Sequence, residues 1–279
     1  MLQRKSILRV KILSALIACV LSACTDLSAV REWSGTSLEA TQFNEVVATY
    51  ADTPERVAFY DKDQASFWET QAKTRRAQAK ALELQLSLVG DYMEALHVLS
   101  ADGVTDYTED VDQLTGSLTE TGLVPESTVG AAGNLATTLL NAATDVWRKG
   151  EVGRLIGDAN APLQVILAGE LRSIVDKDFR GDLADEAGFL DSYFKRLLRN
   201  GGGSETANAA LNEWYVLRKK ENARRVVAVD AYLHVLDKIS EGHQKLYDNR
   251  NDLEAVQLVK DLFKLAKEIR KSVTELMKA

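Results

Sequence analysis

Glu94-Ala95-Leu96-His97 sets a carboxylate and an imidazole three residues apart. On a helix such residues project from one face, and the pair suits iron or manganese. A di-metal site of this kind needs a second Glu-x-x-His and two further carboxylates. Neither remaining histidine supplies them: the nearest upstream acid to His234 is Asp230, four residues before it, and His243 has only Glu241. Glu94 and His97 are therefore weak metal candidates, and the plainer reading is an interfacial histidine beside an exposed glutamate, with no cofactor required. Cys19 and Cys24 have the separation of a zinc half-site, but no second cysteine pair completes it. Gly-x-Ser-x-Gly and the phosphate-loop pattern are both missing. Gly201-Gly202-Gly203-Ser204-Glu205 lacks the lysine of an anion-binding turn and reads as a flexible connection. These residue types do not point to an enzyme or to a small-molecule substrate.

The two cysteines lie in a stretch of different character. Arg4, Lys5, Arg9 and Lys11 precede an uncharged run from Ile12 to Ala23, which ends in small residues and Cys24. Charged, apolar and small segments in this order form a secretory signal. The uncharged run falls short of the ~20 residues of a membrane-spanning helix. Leu21-Ser22-Ala23-Cys24 resembles the bacterial lipoprotein signal. That resemblance implies cleavage before Cys24, a lipid on its sulfur, and loss of Cys19 with residues 1–23. In the family's sorting pattern an aspartate directly after the cysteine favours retention in the inner membrane. Here Thr25 takes that place and Asp26 follows, which implies the periplasmic face of the outer membrane. Each buried lipid methylene contributes ~0.8 kcal/mol, so several acyl chains anchor firmly where one is marginal.

The chain has 34 Lys and Arg against 41 Asp and Glu, a net charge of −7, and loss of the four signal cations deepens it by four. Such a surface is unsuited to nucleic acid. Two basic patches stand out: Lys73, Arg75 and Arg76, and then Arg218, Lys219, Lys220, Arg224 and Arg225. They can meet acids of a neighbouring helix or an acidic partner. Residues 127–144 carry no charge at all. A membrane-inserting hairpin uses such a piece, but Ser, Thr and Asn make its transfer into hydrocarbon unfavourable, and a tightly packed core helix is the plainer reading.

The elements that must position these residues are helical. Ala, Leu, Glu, Lys and Arg dominate, and alternating β-branched runs are missing. Thr53 as cap, Pro54 in the first turn and Glu55 predict one long helix from Glu55 to Ser100. Its apolar seam runs through Ala65, Trp68, Ala72, Ala79, Leu82, Leu86, Val89, Met93 and Leu96, with Arg75 interrupting it. A second long helix is expected from Ser204 to Tyr247 and a last one from Leu253 to Met277, with shorter helices over 107–119, 127–147, 162–174 and 189–199. Pro54, Pro125 and Pro162 each stand where a helix can begin.

The expected architecture is all-α, an elongated bundle of long antiparallel helices. Its divisions are a signal at 1–23, a lipidated tether with a short helix at 24–50, and one bundle domain at 51–279. The expected protein is lipid-anchored and non-enzymatic, an interaction or scaffold protein of the envelope working with another envelope protein or its own copy. A membrane-perturbing protein using residues 127–144 is the alternative, and a metal-binding bundle that resembles the ferritin-like proteins is the third reading.

Overall fold

The computed structural model describes residues 27–42, 45–100, 126–144, 152–200 and 203–278, and they are all-α, with no strand among them. Helix α1 (Ser28–Thr41) is followed by α2 (Glu45–Ala51) and α3 (Thr53–Tyr60). A 3-10 turn at Lys62–Gln64 leads into α4 (Ala65–Leu99). Then come α5 (Glu126–Thr144), α6 (Val152–Gln164), α7 (Arg180–Asn200), α8 (Glu205–Asp248) and α9 (Val256–Leu276). The expected helix at 107–119 lies outside the described residues.

Helix α8 is the spine. Its 44 residues give a length of about 65 Å. Ser204 caps its start, with Oγ accepting from the Ala207 N–H at 3.3 Å. Helix α9 folds back antiparallel along its C-terminal half, through Lys245 to Asp261 at 3.1 Å and Lys238 to Glu268 at 3.3 Å. The run from α6 to α7 is antiparallel along all of it. Gln164 donates to the Ser240 carbonyl at 2.9 Å near one end, Arg172 meets Asp237 midway, and Asn222 donates to the Leu183 carbonyl at 3.1 Å farther on.

Between α6 and α7 the backbone takes π-helical turns at Val165–Leu171 and Ile174–Phe179. Their cause is legible in the spacing of the buried stripe. Leu163, Leu167, Leu171, Val175, Phe179 and Leu183 recur every fourth residue and are all buried. An α-helix of 3.6 residues per turn would carry such a stripe around its surface. Wider π turns take up the extra residue and keep the stripe against the core. Pro162, expected to start a helix, sits inside α6, so no boundary falls there.

Three more expectations are corrected. The predicted helix 55–100 is broken at Asp61 (φ −120°, ψ 73°), whose carboxylate accepts from Trp68 Nε1 at 3.0 Å. A side chain that bonds locally competes with the helical turn. Thr53 does not cap α3; its hydroxyl donates to the Thr49 carbonyl at 3.1 Å. The tether division ending at residue 50 does not appear in the packing either. Leu27, Val30 and Trp33 are buried in the main core, where α1 packs against α4 and α9. Trp33 is thus a core residue of the folded body.

A buried polar chain crosses this core. The Tyr92 hydroxyl lies 2.6 Å from His243 Nε2, and His243 Nδ1 lies 2.9 Å from Asn160 Oδ1, while Asn160 Nδ2 donates to Gln244. An amide oxygen only accepts, so Nδ1 carries the proton and Nε2 accepts from tyrosine. Burial holds His243 neutral, pushing its pKa down to about 3. The unfolded chain takes up that proton near pH 6.5. Between these values the unfolded state binds more protons, so this site's contribution is complete above about pH 6.5 and falls as pH drops, by up to about 1.4 kcal/mol per pH unit. Urea midpoints between pH 7 and 4.5 are expected to fall more steeply in the wild type than in His243→Gln. Parallel slopes would refute the neutral assignment.

Candidate functional site

Towards its N-terminus α8 outruns α9 and continues, with α7 beside it, as an arm. A second, smaller apolar cluster holds the arm together: Tyr60, Leu190 and Phe194 are buried, with Phe189, Tyr193, Leu211 and Tyr215 packed around them. The rings make two groups of close contacts, most of them edge-to-face or tilted. Phe194 stacks on Tyr215 with centroids 5.4 Å apart, Trp214 contacts Phe194 at 5.8 Å and Phe59 at 6.2 Å, and Trp68 meets Phe189 at 5.5 Å. Each such pair adds ~0.5–1.5 kcal/mol beyond burial. Phe59, Phe67 and Trp214 are nevertheless 43%, 47% and 42% exposed.

The two basic patches predicted from the sequence come together here around one helix. Along α7, Asp182, Glu186 and Asp191 face them in turn. Arg75 grips both oxygens of Asp182, through Nε at 2.7 Å and Nη2 at 2.9 Å. Glu186, 1% exposed, accepts from Arg56 at 3.0 and 3.2 Å and from Arg225 at 3.2 Å. Asp191 accepts from the Tyr215 hydroxyl and pairs with Lys195 and Lys219. These hydrogen bonds, Lys195 first, hold the Asp191 carboxyl far below the usual carboxylate range. Arg75 also lies over the Tyr50 ring, at 5.2 Å.

The other basic residues divide differently. Arg76 pairs with Glu55, Lys73 with Glu69 and Arg218 with Glu221, all on exposed side chains or within a helix turn, where pairs contribute little. Lys220 and Arg224 are exposed on α8. The α7 acids were the missing half of the pattern. Their sign was readable in the sequence, but Arg75 and Asp182 stand 107 residues apart.

The metal candidates do not converge. Glu94 is exposed, and His97 Nδ1 lies 2.8 Å from the Arg31 carbonyl. No group of three His, Cys, Asp or Glu among the described residues is arranged to hold a metal. The uncharged segment forms α5, with Ala131, Ala132, Leu135, Ala136 and Leu139 buried against α4, α6 and the first π segment. No helix among the described residues is long and apolar enough to cross a membrane. Cys24, Thr25 and Asp26 lie outside the described residues.

Exposed apolar side chains that could meet another molecule include Val256, Phe263 and Met277 at and beyond α9, and a group of four on the arm. Trp214, Val216, Leu217 and Val227 of α8 are each between 42% and 51% exposed. Helix α1, the first one described, begins towards the opposite end. His97 near the end of α4 reaches Arg31 of α1, and Trp33 packs on Gly242 of α8, so the start of α1 lies level with the far end of the spine. No protein-family model, curated protein or solved structure matches this chain, so the functional reading rests on its residues and geometry.

Proposed function

We propose that this chain is a lipid-anchored, non-enzymatic interaction or scaffold protein of the bacterial envelope, held by acyl chains on Cys24 at the periplasmic face of the outer membrane. The observation that carries the reading is the polarity of the molecule. The chain enters at one end of the spine, three residues after Cys24, where Leu27 is already buried. The exposed aromatic and aliphatic residues of the arm, Trp214 to Val227, stand roughly 20 to 40 Å along α8 from Gly242, where Trp33 of α1 packs, at about 1.5 Å per residue. An anchor at one end and an apolar surface at the other suit a protein that presents a contact surface away from its own membrane.

Capture from detergent-solubilised envelope tests this. The wild-type chain is expected to bring down a specific partner or its own copy, and Trp214→Ser with Leu217→Ser is expected to lose it. Cys24→Ala serves as the mislocalised control and is expected to leave the membrane fraction. Recovery of neither a partner nor an oligomer contradicts the reading.

A further inference from the structure

The outer face of the arm has a pattern of its own. On α8, Ala209, Glu213, Val216, Lys220, Ala223 and Val227 follow steps of four and three residues, and each is exposed. They lie opposite Leu211, Tyr215, Asn222 and Val229, which are turned towards α7 and the core. Alternating steps of four and three form the seam of a helix pair. Val216, Leu217 and Val227 are 43%, 50% and 51% exposed, which is unusual for a face that meets only water. Glu213 and Lys220 make no ion pair among the described residues.

The charges on this seam select the occupant. If two copies of α8 are laid antiparallel about a two-fold axis between residues 216 and 217, Val216 faces Leu217 of the other copy. Glu213 then faces the other copy's Lys220, and the symmetry makes this pair twice. Ala209 faces Arg224, a small residue opposite a long one, and Thr206 faces Val227. The same patch serves both copies, as an isologous contact requires. A parallel arrangement in register would instead set Glu213 against Glu213 and Lys220 against Lys220.

The geometry points to a second copy of this chain as the occupant of the arm, paired antiparallel through residues 206–227 of α8. The proposal deepens the interaction-protein reading and rests on it, since it names the partner of the exposed arm. Two anchored copies joined through their arms would place their entry ends at opposite ends of the dimer, so the pair bridges two membrane patches.

The test uses the detergent-purified full chain, with molar mass measured by light scattering over a hundredfold concentration range. The wild type is expected to dimerise, with Glu213→Lys or Lys220→Glu each weakening the dimer at least tenfold. The double exchange, Glu213→Lys with Lys220→Glu, is expected to restore it to within about threefold. Val216→Cys, beside the axis, is expected to give a disulfide-linked dimer in the envelope that the chain without the added cysteine does not give. A monomer throughout overturns the pairing. So does a dimer indifferent to the single exchanges, which would belong to another face, or one that the double exchange fails to restore. Acyl labelling of the same preparations reads the anchor separately, so a monomer that still carries label refutes the pairing and leaves the lipoprotein reading standing.

Discussion

Glu186→Gln is expected to cost about 3 kcal/mol, in line with breaking a buried ion pair by removing one partner. In a chain of this size that corresponds to a fall of roughly 6–12 °C in thermal midpoint. The side chain of Glu186 is 2% exposed and stands between two guanidiniums that are themselves only 21% and 24% exposed. It joins three helices: Arg56 from α3, its own α7 and Arg225 from α8. A glutamine keeps the shape and one acceptor but leaves two half-buried cations facing each other. Arg225 already feels this: burial and then the neighbouring Arg56 depress its pKa, against the pull of Glu186. Replacing all three together, Arg56→Met, Glu186→Leu and Arg225→Met, is expected to recover most of the loss, because an apolar cluster of similar volume avoids the desolvation cost. Denaturant titrations of the single and triple variants check both parts. A loss below about 1 kcal/mol in Glu186→Gln would mean that the arm does not depend on this junction.

Gly242→Ala is expected to be at least as damaging, though it adds one methyl group. A Cβ at 242 would fall within 2.7 Å of Trp33 Cζ2 and closer still to Nε1 and Cε2. The indole is fully buried. Overpacking of this kind typically costs ~1–3 kcal/mol and more where the neighbour is rigid. Helix α8 thus meets α1 so closely because position 242 has no side chain. Trp33→Leu is destabilising by itself, through the cavity it leaves. Combined with Gly242→Ala, however, it is expected to cost less than the sum of the two, since it removes the obstructing ring. Unfolding of the four chains in a double-mutant cycle gives the coupling. Strict additivity would show that the two residues do not meet as described.

Much of this fold is written in local pattern. The Gly-rich break before Ser204, the cap at Ser204 and the stripe along α8 specify a helix whose limits differ from the expected ones by a residue or so. The break at Asp61 is harder to read, because Asp61-Lys62-Asp63-Gln64 has neither glycine nor proline, and the interruption comes from a hydrogen bond to Trp68. The π segments follow from an apolar repeat of four, a signal that a search tuned to 3.6 residues passes over. Arg75 looks like a defect in the α4 seam until Asp182 arrives from another helix. The arm is legible only in part. The basic residues and tryptophans are visible in the sequence, but which apolar side chains stay uncovered depends on where α9 stops alongside α8, and that is a tertiary fact.

We propose that acyl chains on Cys24 anchor the molecule at the end opposite its exposed arm. Mass spectrometry of the mature N-terminus after growth with an alkyne-tagged fatty acid tests it most directly. The mature chain is expected to begin at Cys24 and carry diacylglyceryl on the sulfur, with the tag lost in Cys24→Ala. A chain cleaved at another residue, or a mature protein with an unmodified Cys24, would contradict it.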